Sequence, residues 1–321
     1  MKRFIGFLFG AICLLVIALS PFLINKSSAS TQDKSVILTV WHIDGFEGGK
    51  GSRYTFLREV ATSFSKQNKG VYILVSSYTQ SGANDLINKG KTPDVISFGG
   101  VGLNIQNYAQ ELDENGFDGG VVNGKRYAVS YLKGGYFVIK KGNGGDEIII
   151  SKGENLTPEI ACLFSSARAS SYNIKSPLDA YTLFLTRKNA TLIGTQRDIE
   201  RLLSRNEEFT AEPIDGYLDI YQYASVTTQK IENEYYARRF IEYLISQAVQ
   251  EKVAKLKMLS VNKTGLYPDN VYLSALEKTK AKYTFSPFLD KTAQKNVCER
   301  ALSALNTGGN YNEIINFIKQ L

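Results

Sequence analysis

The stretch VWHIDGFEGGKGSRYTFL, residues 40–57, gathers the only His and the only Trp of the chain beside Asp44, Glu47, Arg53 and a run of glycines. Two kinds of chemistry suit those residue types. Asp44 and Glu47 form a carboxylate pair of the kind that divides general acid and general base work. Alternatively, Gly48, Gly49 and Gly51 permit positive backbone torsions, so that amides entering the helix after Ser52 point at the oxygens of a ligand. In that case Asp44, Glu47, Ser52 and Arg53 grip hydroxyls or an opposite charge. His42 as a general base or metal ligand has little support. A single His excludes a His-rich zinc site or a two-His relay, and no HExxH, GxSxG or Walker pattern occurs. No cofactor and no metal are expected.

A second stretch of similar build is LIGTQRD, residues 192–198, where an apolar strand meets Thr195, Gln196, Arg197 and Asp198 at a helix start. Asp198 there has a purely structural use as well, stabilising the helix start and pairing with Arg197 or Arg201. Two such junctions suggest a cleft between two sheets. Thr79, Phe98 and Tyr223 complete the candidate ligand-binding set with His42, Asp44, Glu47, Gly51, Ser52 and Arg53. Aromatic faces stack well on sugar rings, although Tyr54, Tyr78, Phe98, Tyr136, Tyr221 and Tyr223 serve a core equally well.

The elements that must position these residues follow from periodicity. Val36–Trp41 is short, apolar and β-branched, a buried strand. Ser52 caps a helix with Phe56, Leu57, Val60, Ala61 and Phe64 at helical spacing, which ends near Gly70. A strand at Val71–Val75, a helix reaching Gly90 and the strand in TPDVISFGG, residues 92–100, complete a parallel α/β unit. After the turn signal Asn123-Gly124-Lys125, extended segments flank Gly134-Gly135, and residues 144–220 carry a fresh α/β set. YLDIYQYASVT, residues 217–227, reads as a returning strand, followed by one long helix over 234–256 that packs against the first domain. The tail from Lys291 is helical.

With 321 residues, 43% of them hydrophobic, the chain suffices for two domains. Residues 1–30 start with Lys2 and Arg3 and continue as an apolar run, the pattern of an export segment or an N-terminal anchor; cleavage near Ser28–Ser30 and retention both fit. Cys13 lacks the small residue that precedes a lipidated Cys, so a lipid anchor is not expected. Of the net charge of +7, Lys2, Arg3 and Lys26 account for three, which argues against nucleic-acid binding by the remainder. Cys162 and Cys298 lie in a compartment that permits oxidation, where a disulfide and two buried thiols are both open.

The chain resembles the extracytoplasmic solute-binding proteins of bacterial ABC importers, of the carbohydrate type, over residues 36 to about 290. The likeness rests on ILTVWHID, TPDVISFGG and NGKRYAVSY, and most specifically on ARRFIEYLISQAVQEKVAKLKMLSV. It implies a two-lobe, type 2 periplasmic-binding-protein-like α/β fold with a double crossover hinge. The lobes would be 36–128 plus 226–280, and 129–225 plus 281–321, with Cys162 and Cys298 in the same lobe. It further implies a monomer that binds a small polar solute, a sugar or oligosaccharide, and delivers it to a membrane permease, the hinge bending near Ala128 and Tyr223. The loop DGFEGGKGSR departs from plain sugar sites by its polarity and its glycines. A binder of an anion or metal chelate, a membrane-anchored sensor, and an enzyme on the same scaffold are the alternatives.

Overall fold

The computed structural model describes residues 35–45, 49–100, 103, 105–113, 119–284, 286–288, 290–309 and 311–320. The leading segment with Cys13, and Glu47 and Gly48, lie outside the described residues. Ile37–Leu321 form one compact body. Among the described residues no helix is long and apolar enough to cross a membrane.

Strand β1 (Val36–Ile43) is buried from Val40 onward, as expected of a strand covered on both faces. Helix α1 (Arg53–Gln67) starts where Ser52 Oγ accepts the Thr55 amide at 3.1 Å, and it buries Phe56, Leu57, Val60, Ala61 and Phe64 along one side. Burying each of these larger side chains is worth about 2 kcal/mol. Strand β2 (Val71–Tyr78), helix α2 (Gln80–Asn88) and strand β3 (Val95–Phe98) follow, and β3 runs parallel to β1 with Val40 opposite Val95. Asp94 ties these two strands together: its carboxylate accepts the Thr39 amide at 2.7 Å, the Thr39 hydroxyl at 2.9 Å and Asn233 Nδ2 at 2.8 Å.

A short hairpin, β4 (Val121–Val122) and β5 (Lys125–Arg126), leads into β6 (Val129–Lys133) and then β7 (Tyr136–Lys141). Between β6 and β7 the chain passes from one sheet to the other through Gly134 and Gly135. A Cβ on Gly134 would lie 2.3 Å from Gln196 Nε2, and one on Gly135 would lie 2.4 Å from Leu276 Cδ1, so a larger residue at either position has to displace the ends of those side chains.

The second α/β set comprises β8 (Glu147–Ser151), α3 (Pro158–Phe164), β9 (Ser171–Lys175), α4 (Pro177–Thr186), β10 (Ala190–Thr195), α5 (Gln196–Ser204) and β11 (Thr210–Pro213). Its sheet order is β11-β7-β10-β8-β9, with β8 parallel to both of its neighbours and β7 antiparallel to β10. The edge strands β9 and β11 are polar and only partly buried, and for that reason carried no hydrophobic pattern in the sequence.

The chain returns through β12 (Gly216–Tyr217) and β13 (Tyr221–Val226), two strands where the sequence suggested one. The break at 218–220 is held by Asp219, whose buried carboxylate accepts the Tyr136 hydroxyl at 2.7 Å and the Thr157 amide at 2.8 Å. Strand β13 is antiparallel to β3 and to β6, completing a first sheet of order β2-β1-β3-β13-β6 with a bulge at Gln222/Tyr223. A third passage runs beside these two, where Leu259 pairs with Lys133 through backbone bonds of 3.1 and 2.7 Å.

The long helix expected over 234–256 is broken. Helix α6 (Ile231–Leu244) ends, a single turn α7 (Gln247–Gln250) follows, and a 3-10 segment runs over Glu251–Leu256. Side-chain amides terminate α6: Gln250 Nε2 donates to Leu244 O at 2.8 Å and Asn262 Nδ2 to Ile245 O at 2.7 Å, satisfying carbonyls that a continuing helix would have used. Helix α6 packs on α1 through an edge-to-face pair, Phe64 with Phe240, at 5.4 Å.

Segment 259–277, grouped on the sequence with the first sheet, contributes Leu259, Tyr267, Leu273 and Leu276 to the core that holds Phe137, Ile149, Phe184 and Leu192 of the second sheet. Helix α8 (Val271–Glu277) places Leu273 and Leu276 on one face, and its cap residue Asn270 also bonds Glu200 on α5 at 3.0 Å. After β14 (Ala281–Tyr283), the tail forms α9 (Lys291–Thr307) and α10 (Tyr311–Gln320) with Gly308 as a left-handed cap between them. Cys162 on α3 and Cys298 on α9 are buried free thiols, each pushed up to about 12 by burial, which leaves them unreactive.

Candidate functional site

A cavity of about 510 Å³ opens where the segment after β1 faces the first two turns of α5. From the first sheet come Asp44, Lys50, Gly51, Ser52, Arg53 and Tyr54, and from α5 come Arg197, Glu200, Arg201 and Ser204. Ser77 at the end of β2 completes one wall.

The two sides are built differently. After β1 the chain is pinned at Asp44, whose amide donates to Tyr78 O at 2.9 Å, and again at Lys50, whose amide donates to Leu256 O at 2.6 Å. Gly49 sits at φ 75° under Met258, where a Cβ would lie 2.7 Å from both Leu256 O and Met258 Sδ. On the other side, Thr195 is the last residue of β10 and also the cap of α5. Its hydroxyl accepts the Arg197 amide at 3.3 Å while Asp198 Oδ2 accepts the Thr195 amide at 2.9 Å, a reciprocal capping pair.

Behind the cavity runs a buried polar network. His42 Nδ1 lies 3.2 Å from Ser97 Oγ, and Ser97 Oγ accepts from Gln222 Nε2 at 3.0 Å and lies 2.8 Å from the Tyr131 hydroxyl. Gln222 Oε1 in turn accepts from Arg53 at 3.5 Å, so the guanidinium is steered from below. His42 is 1% exposed, and burial together with the Arg53 charge lowers its pKa to about 3, so the ring is neutral at any physiological pH. A second buried group links the sheets: Gln196 Oε1 accepts the Gly135 amide at 2.9 Å, and its Nε2 lies 3.0 Å from Met258 Sδ.

Charge in the cavity is unbalanced. Lys50, Arg53, Arg197 and Arg201 face Asp44 and Glu200 among the described lining residues. Burial lowers the Arg197 pKa first, and the neighbouring Arg201 and Arg53 charges lower it further, although Asp198 opposes them.

Of the residues singled out on the sequence, Asp44, Gly51, Ser52, Arg53 and Arg197 are brought together around the cavity. His42, Phe98, Thr195, Gln196, Asp198 and Tyr223 are buried instead, in the network, the capping pair and a tilted ring pair of Phe98 with Tyr223 at 5.7 Å. Thr79 caps α2, its hydroxyl accepting the Gly82 amide at 3.1 Å, and does not line the cavity. Sequence reasoning missed Glu200, Arg201 and Ser204. The signal was present, because positions three, four and seven beyond Arg197 share its helix face. Among the described residues no group of three or more His, Cys, Asp or Glu is arranged to hold a metal ion.

No known protein family and no curated protein matches the sequence. Solved structures do match in fold. The maltose/maltodextrin-binding domain MalE from Bdellovibrio bacteriovorus, solved with maltotriose, is 14% identical with a TM-score of 0.54, over 87% of this chain and 96% of that one. The sugar-binding protein MalE from Xanthomonas citri is 12% identical with a TM-score of 0.60, over 89% and 96%. Iron-bound HitA from Pseudomonas aeruginosa is also similar, at 12% identity and a TM-score of 0.54, over 86% and 100%. The fold is therefore the two-lobe periplasmic-binding-protein-like fold with crossing strands between its sheets.

Proposed function

We propose that this protein is the extracytoplasmic solute-binding component of an ABC importer and takes a sugar or oligosaccharide into the cavity between its two sheets. The observation that carries this reading is the cavity itself. Both of its walls lead from strand ends into helix starts, one wall per sheet. Proteins of the same fold named for maltose and maltodextrin binding support the solute class.

Asp44, Gly51, Ser52, Arg53 and Arg197 make the contacts in this reading, together with Glu47 of the same loop. His42, Phe98, Gln196, Asp198 and Tyr223 act by holding those residues in place, and Thr195 by starting α5. Solute bound to both walls favours the closed arrangement, with bending at Gly134-Gly135 and at 218–220, and the closed monomer docks on a membrane permease.

The test is thermal unfolding of residues 31–321 against a panel of sugars and oligosaccharides. A ligand at a hundredfold excess over its Kd stabilises the native form by about 2.7 kcal/mol, well within reach of the method. The expected result is stabilisation by a saccharide that disappears in Arg197→Ala. Stabilisation unaffected by that substitution places the solute elsewhere and overturns the assignment of the cavity.

A further inference from the structure

The face of α5 does not end with the cavity. Arg197, Arg201 and Arg205 recur every four residues, so their Cα atoms follow one another at about 6 Å along the axis. A second cavity of about 560 Å³ begins where the first stops, and the two share Arg201 and Ser204. The floor of the second is Tyr181, clasped by two guanidinium groups at 5.3 Å (Arg201) and 5.9 Å (Arg205) from its ring centre. The apolar side chains of Leu178 and Leu185 flank it.

Arg201 stands between the two cavities. Its closest carboxylate oxygen, Asp198 Oδ1, is 3.9 Å away, too far for a hydrogen bond, and one of its terminal nitrogens, Nη1, is buried with no hydrogen-bond partner. Along the two adjoining cavities Lys50, Arg53, Arg197, Arg201 and Arg205 face Asp44 and Glu200 among the described lining residues, with buried Asp198 behind Arg197 and Arg201, and Glu200 already accepts from Asn270. Tyr54 and Tyr181 are the ring systems within it. A neutral sugar is held by hydroxyl-matched amides and aromatic platforms, whereas a row of planar guanidinium forks matches oxyanions borne at intervals on a chain.

We propose that the solute is an acidic oligosaccharide, carrying carboxylate or sulfate groups on successive rings and lying along α5 from the first cavity into the second. This rests on the solute-binding reading above and names its substrate class. The ends of the ligand take different partners: one ring sits among Arg53, Arg197 and the loop amides, and the next lies over Tyr181 between Arg201 and Arg205.

The experiment is calorimetric titration of residues 31–321 with trigalacturonate, its methyl ester, galacturonate, a sulfated disaccharide and maltotriose. Trigalacturonate or the sulfated disaccharide is expected to bind at least roughly tenfold tighter than the ester and maltotriose, consistent with one or more charge-assisted bonds. That affinity should fall steeply between low and high salt, because the contacts are partly exposed ion pairs. Arg205→Gln, at an exposed position, should weaken the trisaccharide more than the monosaccharide without altering thermal unfolding of the free protein. Tight binding of maltotriose or of the ester, insensitive to salt, overturns the acidic class and leaves the solute-binding reading intact. Equal affinity for galacturonate and trigalacturonate overturns the extended groove. Silence across all five ligands overturns the acidic class, and the solute-binding reading is then decided by the sugar panel described above.

Discussion

The two walls of the cavity solve the same problem in opposite ways. After β1, residues 44–52 intervene before α1 begins, pinned at Asp44 and Lys50 and threaded through left-handed Gly49 and Gly51. After β10 nothing intervenes: Thr195 belongs to the strand and caps the helix, locked by the reciprocal bond to Asp198. The first wall takes its shape from its loop and the two pins, while the second presents side chains at a spacing dictated by the helix alone. In the proposed reading, specificity by fit belongs to the loop and specificity by charge interval belongs to α5.

Three substitutions or conditions would break or sharpen that contrast. The largest effect is expected for Gly49→Ala, which combines a positive φ with a Cβ 2.7 Å from the Leu256 carbonyl. A loss of about 3 kcal/mol in denaturant unfolding, with solute binding abolished, fits the loop as a tightly pinned element. A neutral outcome would mean that the loop is free to re-form and that its pins do not define the wall.

Next comes Asp198→Ala, which leaves the buried Thr195 amide without its acceptor and removes the cap of α5. About 2 kcal/mol should be lost. Binding should weaken in proportion to the displacement of Arg197, whereas Asp198→Asn keeps an acceptor and should cost less.

The smallest effect lies in pH dependence, and its sign differs between the sheets. At Asp94 burial raises the pKa, but the bonds from the Thr39 amide and hydroxyl and from Asn233 outweigh it and hold the group below its usual range. Its stabilising contribution is complete above the unfolded value near ~3.9 and is lost as pH falls below that toward the folded value. At Asp198 burial dominates and raises the pKa, so the folded state favours the protonated acid; stability there declines as pH rises from ~3.9 through the folded value. Unfolding free energies measured from pH 3 to 6 should therefore lose their acid-side slope in Asp94→Asn and gain slope in Asp198→Asn. Parallel changes in the two variants would contradict the assigned shifts.

Much of this was legible in the sequence because period and punctuation agreed. Strand β1 was marked by its short apolar run, and helix α1 by the Ser52 cap followed by Phe56, Leu57, Val60, Ala61 and Phe64 at helical spacing. The two-strand return around Asp219 was not legible, since Leu218, Ile220 and Tyr221 continue the apolar pattern and only a carboxylate accepting from distant Thr157 and Tyr136 interrupts it. The break in the 234–256 helix depended likewise on side chains that arrive from elsewhere, Asn262 above all. At the site, residue types pointed to the two segments that line the cavity. Which members face outward was decided by packing: His42 and Asp198 look reactive in one dimension and are buried in three.

The crossing of the chain has a consequence for biosynthesis. The first sheet cannot close until β13 is in place, because Tyr223 must lie opposite Phe98 and β13 is the strand that joins β6 to β3. The whole second sheet is translated between those two pairing partners. A nascent chain thus exposes the open edge of β3 throughout that interval, a long-range closure of the kind that folds slowly and invites wrong strand pairing. The second sheet is contiguous from β7 to β11 and meets no such delay, so the order of synthesis favours assembly of the α5 wall before the glycine loop has a wall to face.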